Sequence, residues 1–402
     1  WYNHQSKAVW DFDRAPWRNR PAFCMDLRIT YEDGTTEVIR SERDWKTSSG
    51  ALIFNSIYTA EHYDARLEQK GWNTADFDDS KWKEAGYRAV PSQNVVSQQV
   101  QPIRIVETIP AKALKKVNDT TYVFDFARNM SGVTRIKVSG EEGTVVRLKH
   151  GERIYDNGRV NMSNIDVYHR PIDDKDPFQT DILILSGKGE DEFMARFNYK
   201  GFRYVEVTSS KPVALDQNSL TAYFVHSDVP QKGEINTSNP LVNRLWWATN
   251  NAYLSNLMGY PTDCPQREKN GWTGDGHFAI ETALYNYDGI TVYEKWLADH
   301  REIGRATQRS ITRHHSDRRM GIRHGQRSGL DEYNRHYSLE YLSVLRRQQI
   351  ISRLLRKHQT IYRLRRPYQP KRTDFMGKRR LGSCEIAFVQ RTDLIGILLC
   401  RY

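Results

Sequence analysis

From Asp263 to Asp275 the chain reads Asp-Cys-Pro-Gln-Arg-Glu-Lys-Asn-Gly-Trp-Thr-Gly-Asp, which gathers three carboxylates, an arginine, a tryptophan and two glycines. Cleaving a glycosidic bond requires a carboxylic acid beside the leaving oxygen. Other carboxylates accept hydrogen bonds from sugar hydroxyls, while an aromatic face covers the apolar side of the ring. Several of these residues also have plain structural uses. Asp263 reads as a helix N-cap, with Pro265 in the first turn and Gln266 as a capping-box partner. Asp275 reads equally as the cap of a helix containing Phe278 and Leu284. Gly271 and Gly274, close to Trp272, imply a tight loop that favours a pocket.

The elements around this segment change character along the chain. From Trp10 to about Thr208 short alternating runs favour strands, such as Phe23 to Thr30 followed by the turn Glu32-Asp33-Gly34. Val133 to Val138, the turn Gly140 to Gly143, and Thr144 to Lys149 read as a β-meander. Thr180 to Leu185 and Phe202 to Val207 continue the pattern, so the expected architecture is β-sandwich or jelly-roll. The segment Gln98 to Ile109 reads as a junction, with a boundary placed near residue 101. After Ser227, Ser238-Asn239-Pro240 supplies an N-cap signal, and Leu241, Leu245, Ala248 and Ala252 fall at helical spacing. Phe278, Ala279, Ala283 and Leu284 propose a second helix. Tyr293, Trp296, Leu297 and His300 propose a third.

The motif resembles the active-site signature of bacterial α-L-rhamnosidases, glycoside hydrolase family 78. Ile57-Tyr58, Tyr63 to Leu67, and Gly71-Trp72 through Trp82 resemble that family's N-terminal β domain. Tyr122 to Phe126, Asn129 to Gly132, and Tyr199 to Val207 resemble its second β domain. The resemblance covers about Trp1 to Glu302 and implies two β-sandwich or jelly-roll domains, 1–100 and 101–228, followed at 229–302 by the first helices of an (α/α)6 barrel. It further implies inverting hydrolysis of terminal α-L-rhamnose in glycans or glycosides. Glu268 would be the general acid, Asp263 and Asp275 would hold sugar hydroxyls, and Arg267 and Trp272 would line the pocket. The family takes its general base from a Glu much further along the barrel, and nothing in this sequence matches that segment. Little or no hydrolysis by this chain is therefore expected.

Charge is distributed unevenly over the 402 residues, whose formal balance is +11. Residues 303–402 hold 23 Lys+Arg against 7 Asp+Glu, and 20 of those basic residues are Arg, leaving the first 302 residues mildly acidic. The family pattern stops at this change in composition, which fits an out-of-frame, irregular tail after a single-nucleotide shift near Arg301 to Gly304. Taken at face value, the tail would instead be a basic arm for nucleic acid, but no recognition module accompanies it. A non-catalytic carbohydrate-binding protein is the other alternative. Cys24, Cys264, Cys384 and Cys400 are widely spaced and support neither a disulfide scaffold nor a zinc site. His314, His315 and His324 read as tail residues rather than ligands, so no metal or cofactor is expected. No apolar run is long enough to span a membrane, and no signal region is visible. Compartment stays open, with a periplasmic or secreted location compatible with the family.

Overall fold

The computed structural model describes residues 22–87, 96–169, 175, 177–296 and 298–299. The readings on the tail 303–402, including His314, His315 and His324, and on Leu297 and His300 lie outside them. The chain divides into two compact units. Within the described residues the smaller unit contains a hairpin of β1 (Asp26–Thr30) and β2 (Thr36–Arg40), paired in antiparallel register. Its turn is the expected one: the Gly34 amide donates to the Tyr31 carbonyl at 3.0 Å, and Gly34 takes the positive φ of 83° that glycine tolerates.

The larger unit carries the remaining strands: β3 (Lys46–Thr47), β4 (Leu52–Asn55), β5 (Glu61–Asp64), β6 (Lys83–Glu84), β7 (Ile103–Pro110), β8 (Ala113–Asn118), β9 (Thr121–Ser139), β10 (Val145–Gly151), β11 (Arg153–Ile154), β12 (Val160–Asn161), β13 (Thr180–Ile184), β14 (Glu190–Met194), β15 (Lys200–Ser209) and β16 (Leu220–Ser227). Ten of them form one hydrogen-bonded sheet along the path β4-β5-β13-β10-β15-β9-β16-β7, with β8 and β14 added onto β9. At 19 residues, β9 is long enough to pair with β8 and β15 through its first half and with β14 and β16 through its second. Residues far apart along the path, Ile109 of β7 and Leu183 of β13, share one apolar core with Phe124, Phe202 and Leu220. The sheet therefore curls over its own interior, whose burial supplies the main stabilising term.

The meander expected between Val133 and Lys149 does not form. Both segments are strands, but β10 pairs with β13 and β15, while β9 pairs with β15 and β16. Local alternation identifies a strand and its turn but carries no information about which distant strand supplies the partner. The turn at Gly140 to Gly143 thus carries the chain between non-neighbouring strands.

The sheet also continues across position 101. β5 lies parallel to β13 and is held by buried polar groups: the Glu61 amide donates to Asp181 Oδ1 at 2.9 Å, and Lys200 Nζ reaches both Asp181 oxygens at 2.6 and 2.7 Å. The Glu61 carboxylate accepts the amides of Arg196 and Phe197. Burial nevertheless raises its pKa to about 7, against the help of those donors and of Lys200. A pKa raised above the unfolded value means stability that is fully present below about pH 4.5 and lost as pH rises through about 7. The buried His62 and His150, whose pKa values are lowered to about 4, act in the opposite direction. Comparison with Glu61→Gln isolates the Glu61 contribution: between pH 5 and pH 8 the wild type is expected to lose stability relative to that variant, which parallel thermal melts of the two proteins will check.

Two helices follow. α1 (Pro240–Ser255) starts as the N-cap signal predicts, with Asn239 Oδ1 accepting the Leu241 amide at 3.0 Å and Pro240 in the first turn. Its expected apolar stripe is inverted. Leu241, at 63% exposed, together with Leu245, Ala248 and Ala252, faces solvent, while Asn250, Tyr253 and Ser255 are buried. The helix docks through Leu254, which packs against the apolar core of the sheet, and through polar groups: Asn251 Oδ1 accepts Arg128 Nε at 2.7 Å, and Asn251 Nδ2 donates to the Asn129 carbonyl. α2 (Thr273–Asn286) buries Ala283 but leaves Phe278 83% exposed. Residues 290–296 are helical and bury Tyr293 and Trp296. Among the described residues no helix is long and apolar enough to cross a membrane.

Candidate functional site

The motif occupies the connection between the two helices. No helix begins at Asp263; residues 265–268 form a turn, so Asp263 is not an N-cap. Its carboxylate closes the loop instead. Asp263 Oδ1 accepts the Asn270 amide at 2.9 Å, and the Asp263 amide donates to the Asn270 carbonyl at 3.0 Å. Oδ2 accepts the Cys264 thiol at 2.9 Å, and the same sulfur accepts the Glu268 amide at 3.3 Å. One side chain thereby links Asp263 to the backbone of Glu268. Burial pushes the Asp263 pKa up, and the nearby Glu268 charge adds to that rise.

Glu268 is buried, and its Oε2 accepts the Trp272 indole N–H at 2.7 Å. Trp272 sits at the N-cap of α2 without a capping side-chain bond, and its ring edge is committed to the carboxylate. Arg267 is half-buried in the same turn as Glu268. Asp275 is not the cap of α2; it lies inside the first turn, exposed, where its charge complements the helix dipole. Gly274 is likewise helical, so of the two glycines only Gly271 serves the loop. A Cβ there would stand 3.1 Å from the Tyr260 ring.

The curled sheet forms the floor of this turn. Gly201 in β15 lets the turn approach: a Cβ at that position would lie 2.8 Å from Pro265 Cγ and 3.2 Å from Gln266 Cβ. Gln266 Nε2 also donates to Glu152 Oε2 at 3.2 Å, just beyond β10, and Asn129 Nδ2 holds the other oxygen of Glu152. Gly201, Glu152, Cys264 and Lys269 were not singled out from the sequence. Only the glycine in an otherwise well-formed strand, Lys-Gly-Phe-Arg-Tyr-Val, carried a usable signal, since such a glycine often marks close approach of another backbone. Among the described residues no group of three or more His, Cys, Asp and Glu could hold a metal ion.

Residues 1–107 match the α-L-rhamnosidase N-terminal domain, 115–226 the bacterial α-L-rhamnosidase concanavalin-like domain, and 230–311 the bacterial α-L-rhamnosidase 6 hairpin glycosidase domain. These successive matches place the chain in a class of multidomain glycosidases. More narrowly, it belongs to the bacterial α-L-rhamnosidase family. An α-L-rhamnosidase of Streptomyces avermitilis is 35% identical over 286 residues, covering 70% of this chain and 27% of that protein. One from Formosa agariphila is 32% identical, over 70% of this chain and 30% of its own length. The solved α-L-rhamnosidase from Dictyoglumus thermophilum superimposes with a TM-score of 0.64 at 38% identity, covering 69% of this chain and 31% of that one. The S. avermitilis enzyme complexed with L-rhamnose gives 0.63 at 34% identity, covering 69% and 26%. The chain thus spans less than a third of the length of these relatives.

Proposed function

We propose that the motif turn is the acid half of an inverting α-L-rhamnosidase site. Glu268 acts as general acid toward the leaving oxygen, Asp263 and Asp275 hold sugar hydroxyls, and Arg267 and Trp272 line the pocket. The observation that carries this reading is the buried Glu268 carboxylate, pinned by the Trp272 indole and linked through Cys264 to a second, partly buried carboxylate on Asp263. Substrates are rhamnose-containing glycans or glycosides, and the helices α1 and α2 represent the opening of an (α/α)6 barrel.

Inversion also needs a carboxylate base ~6.5–9.5 Å from the acid to activate water. With the family's base segment unmatched in this sequence, the chain is expected to bind L-rhamnose while hydrolysing an aryl α-L-rhamnoside little or not at all. Calorimetric titration with L-rhamnose tests the site. Asp263→Ala should weaken binding at least tenfold, and wild-type binding should decline on acidification at a pH above that of an ordinary Asp, because the Asp263 pKa is raised. Binding that survives both Asp263→Ala and Glu268→Gln but follows substitutions in the β strands would identify a non-catalytic carbohydrate-binding protein instead. Rapid turnover of the aryl rhamnoside would contradict the expected inactivity. The tail after residue 302 is proposed to be out of frame; sequencing the coding DNA across 295–310 decides that point.

A further inference from the structure

Lys269 follows Glu268 directly, yet its side chain enters the β structure rather than solvent, and only 4% of the residue is exposed. Its Nζ donates to the main-chain carbonyls of Ile57 and Tyr199, both at 2.5 Å, and stands 4.3 Å from the centre of the Tyr199 ring. Ile57 precedes β5, and Tyr199 immediately precedes β15. The Lys269 carbonyl accepts the Tyr260 hydroxyl at 3.0 Å, so its main chain is held as well. The backbone adopts a φ of 54°, a left-handed conformation that is strained for a non-glycine residue.

We propose that Lys269 is the positioning residue of the Glu268 loop: its ammonium, seated on the Ile57 and Tyr199 carbonyls, fastens the loop to two separate segments of β structure and sets where Glu268 stands. This rests on the reading of Glu268 as the acid. A purely packing role would be served better by an apolar side chain, because burying an ammonium costs desolvation that carbonyl partners only partly offset. Burial does push the Lys269 pKa well down, with Lys200 adding to that effect. What the ammonium supplies is direction: two short bonds and a ring face determine a position that apolar contact leaves loose. The left-handed turn at residue 269 has the same consequence, since it sends consecutive side chains to their separate tasks. The β segments become part of the catalytic apparatus, and a loop severed from them would carry a displaced acid.

Hydrogen exchange of the whole chain tests this with Lys269→Met, which keeps the stem and removes the charge. Amides in 263–272 should exchange at least tenfold faster than in the wild type, with β13 and β15 within twofold, and L-rhamnose binding should weaken at least tenfold. Unchanged exchange in 263–272, or an equal rise throughout the strands, would overturn the proposal. If this variant does not fold, amine labelling of the wild type decides. Lys269 should label at least tenfold more slowly than exposed Lys81 and Lys112, and L-rhamnose should slow it a further threefold or more. Labelling at the exposed rate, or unaffected by bound sugar, would overturn it. Should the wild type bind no L-rhamnose, the proposed function fails while the exchange comparison still decides the clamp.

Discussion

Asp181→Ala is expected to destabilise the protein by about 3–5 kcal/mol, lowering its melting temperature by roughly 10 °C. Lys200 is among the most deeply buried cations described, and its ammonium has three acceptors: both Asp181 oxygens and Asn198 Oδ1 at 2.5 Å. Removing the carboxylate leaves a charge in the interior with a single neutral acceptor and also removes the acceptor of the Glu61 amide. The loss reaches the site, because Lys200 lies between Tyr199, which receives Lys269, and Gly201, which underlies the motif turn. Replacing both partners by apolar residues, Asp181→Leu with Lys200→Met, should recover much of the stability, since the cost arises from the unpaired charge rather than from absence of the pair. A single Asp181→Ala variant melting within about 2 °C of the wild type, by calorimetry, would show the pair to be dispensable.

Gly201→Val is the substitution expected to affect binding most. Valine is otherwise favoured in a strand, so an unobstructed position would gain from it. Here the new Cβ meets Pro265 and Gln266, and the strand cannot withdraw. Gln179 grips the Gly201 peptide from both sides, its Oε1 accepting the amide at 2.9 Å and its Nε2 donating to the carbonyl at 3.1 Å. The turn must move instead, carrying Glu268 with it. L-rhamnose affinity should fall at least thirtyfold while stability falls by only about 1–3 kcal/mol, the usual range for overpacking. Gly201→Ala should give a smaller loss in the same direction. Titration calorimetry beside thermal melts separates the two effects, and wild-type affinity in Gly201→Val would mean that the turn position is immaterial to binding.

What could be read from the sequence was local. The hairpin around Gly34 and the Asn239 cap are set by residues within a few positions of each other, and both appear as expected. Pairing of β9 and β10 failed because proximity in sequence does not decide strand neighbours once β15 can insert between them. The apolar stripe of α1 failed for a different reason. Leu241 and Leu245 are exposed among the described residues, and the buried side uses Asn250 and Tyr253, so helical periodicity located the helix without identifying its docking face. The motif residues could be proposed together as a site because they are contiguous. Their support was not, since Glu152, Gly201 and the Lys269 acceptors lie far back in the chain, and of these only Gly201 carried a signal of its own.

The central claim is that the motif turn, seated on the curled sheet, is the sugar site. A crystal structure of this chain soaked with L-rhamnose tests it most directly. The expected result is one sugar within hydrogen-bonding distance of Asp263 and Glu268, beside Trp272 and Arg267, with the Lys269 ammonium still on the Ile57 and Tyr199 carbonyls. L-rhamnose bound elsewhere on the β strands, with the Asp263 to Asp275 segment making no contact to it, would contradict the account.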